Sequence, residues 1–107
     1  MSRPWVILVL AGLLEIVWAT ALQRSEGFSR VVPASVAVGA AAVSFVLLAL
    51  ALRSLPVGTA YAAWTSIGVF GVAVVGIATR GDGTSVVRLL SLGLIAAGVV
   101  GLRSVEE

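Results

Sequence analysis

Ala11-Gly12-Leu13-Leu14-Glu15-Ile16-Val17-Trp18 decides the reading of this chain, because it sets one carboxylate inside an apolar run extending from Trp5 to Leu22. As a helix, a run of about 18 residues covers most of a bilayer core roughly 30 Å thick. Glu15 falls a little past its middle. An ionisable side chain at that depth costs at least ~2.5 kcal/mol on insertion scales, so it is expected to face a bundle interior or a wet cavity and to serve function there. The competing readings, a structural carboxylate satisfied by a neighbouring helix or a span that is really a soluble core helix, are opposed by the rest of the chain, which is as apolar as this segment. Of its 107 residues 60% are hydrophobic and 11% charged. A soluble domain of this size could not hide so much apolar surface, so the chain reads as an all-α integral membrane protein.

Composition also excludes chemistry. There is no cysteine and no histidine, which removes disulfides, thiolate nucleophiles, imidazole bases and the usual zinc ligands, so neither metal nor cofactor is expected. The formal charge is +2, and every basic residue is an arginine near an expected helix end. Such arginines snorkel to headgroups and do not form a nucleic-acid footprint. An enzyme is disfavoured, because Glu15 and Asp82 are the only acids near the spans and no nucleophile–base pair accompanies them. The first span starts almost at Met1 without a small-residue cleavage site and is read as a retained helix.

Outward from Glu15, residues 1–107 read as a single four-helix transmembrane domain with spans at about 5–23, 33–52, 57–79 and 86–102. Gly27 and the Pro56/Gly58 pair break the first two junctions, and Thr84 or Ser85 can cap the fourth helix. On the first helix, Gly12 and Trp18 share the face of Glu15. Ser44 is the polar interior residue of the second span, and a serine there either bonds its own helix or serves a neighbour. Tyr61, Trp64, Thr65 and Gly68 share one face of the third helix, at a depth that favours a cavity lining. Ser66, Gly68 and Gly71 remove bulk from that helix and permit either a bend or close packing. Gly93, Ala97 and Gly101, with Gly98 beside them, give the fourth helix the small-residue spacing used for helix association in lipid.

Arginine counting gives little orientation. Arg3, Arg53 and Arg103 fall on one side of the membrane, and Arg24, Arg30, Arg80 and Arg88 on the other. With so small a bias the chain can insert both ways up. Four short helices cannot both enclose a substrate and gate it from two sides, but two copies in opposite orientation create the in-plane two-fold axis that single-chain transporters obtain from inverted repeats.

Several motifs then converge. Gly12-x-x-Glu15-x-x-Trp18, Ser25-x-Gly27-Phe28-x-Arg30, Ser44-Phe45, Leu55-Pro56-x-Gly58-Thr59-Ala60-Tyr61-Ala62-x-Trp64-Thr65 and Gly98-x-x-Gly101-Leu102 together span almost the whole chain. In these residues it resembles the small multidrug resistance family of four-helix bacterial transporters, and within it the guanidinium exporter subtype. Gln23, Ser66 and Asp82 depart from the lysine, glycine and glutamate usual there. The resemblance implies an antiparallel homodimer, or a heterodimer of paired homologues, in the bacterial inner membrane. It further implies proton-coupled antiport of small organic cations, with Glu15 binding protons and substrate in exchange. Gly12, Trp18, Ser44, Tyr61 and Trp64 would line the pocket, with Ser44 and the Trp18 indole steadying the carboxylate. The competing readings are a multidrug exporter of quaternary ammonium or polyaromatic cations on the same architecture, and a non-transporting dimeric membrane subunit.

Overall fold

The computed structural model describes residues 2–106, with Glu106 described in its backbone alone. Its described residues form four helices and no strand: α1 (Arg3–Arg24), α2 (Val31–Ala51), α3 (Val57–Arg80) and α4 (Val86–Glu106). Each is long and apolar enough to cross a membrane. α1 opens with Pro4 in its first turn, where a missing N–H costs nothing. The same logic lets α2 begin at Val31, ahead of Pro33 where the sequence suggested a start, because a first-turn amide has no partner within the helix.

The junctions are built from local chemistry. Ser25 is fully buried after α1; its Oγ donates to the Leu22 carbonyl at 2.6 Å and accepts from the Phe28 amide at 3.1 Å. The three residues after it, Glu26, Gly27 and Phe28, all take positive φ. α3 ends at Gly81, whose φ of +70° is the left-handed stop that glycine adopts without a Cβ penalty. At the start of α4 the Arg88 amide donates to Ser85 Oγ at 3.2 Å, which makes Ser85 the cap.

α1 is the centre of the bundle. It packs along both α2 and α3, whereas α2 and α3 touch little and α4 lies on α3 alone among the described elements. The core joins Trp5, Leu8 and Ala11 of α1 to Leu48 and Ala51 of α2, and to Ala60, Ala63 and Trp64 of α3. The alanines let backbones approach closely, which matters in lipid where dispersion contact drives helix association. α4 leaves a different impression: Ala97 is exposed, and side chains added at Gly93, Gly98 or Gly101 would meet nothing within 4 Å.

Candidate functional site

The site begins with a hydroxyl that ties three helices together. Ser44 on α2 is completely buried; its Oγ donates to the Ala11 carbonyl of α1 at 2.7 Å and accepts from Trp64 Nε1 of α3 at 3.0 Å. Its hydroxyl is thus engaged as donor and as acceptor. Ser44 therefore fixes the α1 backbone one turn before Glu15 and, contrary to the expectation drawn from the family resemblance, does not bond the carboxylate. The Trp18 indole is not on the carboxylate either: its Nε1 is buried and unpartnered. Ser44→Ala strands the Trp64 N–H and cuts the link to α1, for an expected loss of about 1–3 kcal/mol. A clear drop in the thermal midpoint of the purified protein checks this; an unchanged midpoint would show that the bridge contributes nothing.

Trp64 is also held by its ring. Phe45 lies at a centroid distance of 5.2 Å and 54°, and Tyr61 at 5.6 Å and 50°, both tilted arrangements of the kind aromatic quadrupoles favour. Trp64 is buried, while Tyr61 is exposed on the flank of α3.

One turn further along α3 comes the carboxylate. A Cβ built on Gly68 would overlap the Glu15 carboxylate, so Glu15 rests against bare backbone at that position. Gly71 plays a similar part toward Ile16, whose side chain would meet a Cβ there. α3 runs unbroken through Ser66, Gly68 and Gly71, and Ser66 lines an apolar cavity of about 470 Å³ between α1, α3 and α4. Gly68 and Gly71 thus pack closely against α1, whereas Ser66 faces open space. Gly12 answers in kind from α1: a side chain there would collide with Ile67.

Glu15 looks into a cleft of about 340 Å³, within the lower range of small-molecule sites at roughly 300–1,000 Å³. Ala19 and Gly68 flank the carboxylate, and Arg80, Asp82 and Arg88 line the same cleft near the α3–α4 junction. Glu15 Oε1 is buried with no hydrogen-bond partner. A buried acceptor left so is costly by about 1–3 kcal/mol, a cost that a hydrogen-bonding cation would relieve. Two features here escaped sequence reasoning: Gly68 as the seat of the carboxylate, and the arginine pair in its cleft. Gly68 stands on the Tyr61/Trp64 face, which was a usable signal; nothing local to Arg80 or Arg88 marks them as more than headgroup anchors.

Four membrane-length helices, with a carboxylate whose Oε1 is buried at membrane depth, define a class, the small multi-pass helical membrane proteins. Within that class the chain belongs to the Small Multidrug Resistance protein family, whose match covers residues 3–95. It is 54% identical over 99 residues to the "Guanidinium exporter" of Yersinia pseudotuberculosis, an alignment covering 92% of this chain and 95% of that protein. Identity to the proteins of the same description from Salmonella typhimurium and Klebsiella oxytoca is 52% over 99 residues, covering 92% of this chain and 94% of each relative.

Proposed function

We propose that the chain is a proton-coupled antiporter that exports guanidinium or small guanidinyl cations from the bacterial cytoplasm across the inner membrane. It is a transporter and not an enzyme in this reading, in keeping with relatives named as exporters. The observation that carries it is the buried, unpartnered Glu15 Oε1 in a cleft with room for a small cation. Guanidinium is planar and offers parallel N–H donors, so a carboxylate can accept two bonds from it at once, a geometry that quaternary ammonium lacks altogether.

Exchange follows from competition. One carboxylate per subunit holds either a proton as O–H or the cation as an ion pair, so cation binding releases a proton and protonation expels the cation. Coupling requires that the protein change its facing direction only when loaded. Two copies in opposite orientation supply equivalent inward and outward states, and the uncovered small-residue face of α4 at Gly93, Ala97, Gly98 and Gly101 offers the contact surface for a homodimer or a paired homologue. Substrate-induced proton release from purified protein tests the reading. Guanidinium and short guanidinyl compounds are expected to release protons, and quaternary ammonium compounds of similar size to release few. Release by bulky quaternary or polyaromatic cations without release by guanidinium would establish the multidrug alternative instead.

A further inference from the structure

Resting on the cation-binding reading of Glu15, we infer that Asp82 is a charge-balancing residue: it gathers Arg80 and Arg88 at the mouth of the cleft and keeps their guanidinium groups from opposing the cation at Glu15. The arrangement is built. The Asp82 amide donates to the Gly76 carbonyl at 3.2 Å, which folds the loop back onto α3. Gly76 is buried, and a Cβ there would overlap the Asp82 carboxylate and press on Arg80 Nη2, so only the bare backbone admits the pair. Asp82 Oδ2 then meets Arg80 Nη2 at 3.4 Å, from the last turn of α3, and Arg88 Nη2 at 3.8 Å, from the first turn of α4.

All three side chains are about a third exposed or somewhat more, at 34%, 31% and 40%. Ion pairs so exposed contribute little to stability. Their location suggests another use, because the same three residues line the cleft that holds Glu15. Gly76 lies about 12 Å along α3 from Gly68, the seat of the carboxylate, at 1.5 Å per residue. With Asp82 ionised the mouth carries a net single positive charge; without it, two. One unit charge at about 12 Å and an effective dielectric of about 20 alters the affinity of a monovalent cation roughly tenfold. The chemistry sharpens the point, since an arginine side chain presents the same planar fork as the proposed substrate and is attracted by the same carboxylate.

The test measures cation binding to the purified full-length protein at low salt and at about 1 M salt, where the screening length falls to about 3 Å. Asp82→Asn should weaken guanidinium binding relative to wild type by about tenfold at low salt and by little at high salt. Adding Arg80→Gln and Arg88→Gln to Asp82→Asn should restore affinity, and Asp82→Glu should preserve it. The Arg80→Gln/Arg88→Gln pair with Asp82 intact should bind more tightly than wild type, and it decides the matter if Asp82→Asn does not fold. Unchanged binding in these charge variants at low salt overturns the inference. So does a loss that is equal at both salts and is not restored by removing the arginines, because that is the signature of a structural role. Running the series in parallel with tetramethylammonium separates the two claims. If wild type binds that ion and not guanidinium, the substrate reading fails and Asp82 is judged on tetramethylammonium; if it binds neither, both fall.

Discussion

Glu15→Gln is expected to abolish proton-driven guanidinium uptake into proteoliposomes, reducing it to the level of empty vesicles. The substitution keeps size and shape, so the seat at Gly68 still receives the side chain. What it removes is the ability to lose a proton and to accept a charged fork on two equivalent oxygens. Hydrogen bonds to a charged acceptor contribute about 1.5–3 kcal/mol each, so guanidinium affinity should fall at least about tenfold with the charge gone. The pH dependence should vanish with it. Under the proposed exchange, protons compete with the cation for Glu15 and wild-type binding should weaken as pH falls; in the glutamine variant no such competition is expected. Retained proton-driven uptake by Glu15→Gln would contradict the exchange mechanism outright.

The second large effect is expected from a methyl group. Gly68→Ala puts a Cβ where the Glu15 carboxylate lies, so either the carboxylate leaves its position or α1 and α3 move apart. Overpacking of this sort costs about 1–3 kcal/mol, against which the better helix propensity of alanine returns at most about 1 kcal/mol. Guanidinium affinity should drop tenfold or more, with uptake falling in proportion. Gly71→Ala is the matched control, because its Cβ meets the flexible end of the Ile16 side chain and not the carboxylate. It strains the same pair of helices but should leave affinity near that of wild type. Equal losses in the two variants would mean that Gly68 matters for packing alone.

The contrast between these glycines marks what the sequence could and could not disclose. The membrane class, the four helices and the anomaly of Glu15 at membrane depth followed from hydropathy and one misplaced charge. Periodicity also grouped Tyr61, Trp64 and Gly68 on one face. Periodicity assigns faces, however, and not the residue of another helix that each face meets. Ser44 thus read equally well as a residue bonded to its own helix or as support for Glu15, whereas its hydroxyl bridges Ala11 and Trp64. Ser66, Gly68 and Gly71 read as a bend or as close packing for the same reason, since small residues serve both. Asp82 and its arginines were illegible as part of the cleft because the loop's path depends on the left-handed turn at Gly81 and the seat at Gly76.

The unequal share that the helices take in the site carries a consequence for how the protein can change. Ala11, Glu15, Ser44, Trp64 and Gly68 all precede Arg80, and α4 leans on α3 alone. The residues that seat and brace Glu15 therefore belong to the first three helices. If the uncovered face of α4 is the pairing surface proposed above, drift at Gly93, Ala97, Gly98 and Gly101 can retune which copy it meets while the seat of Glu15 on α1 and α3 stays as it was, Arg88 alone of that helix being part of the cleft.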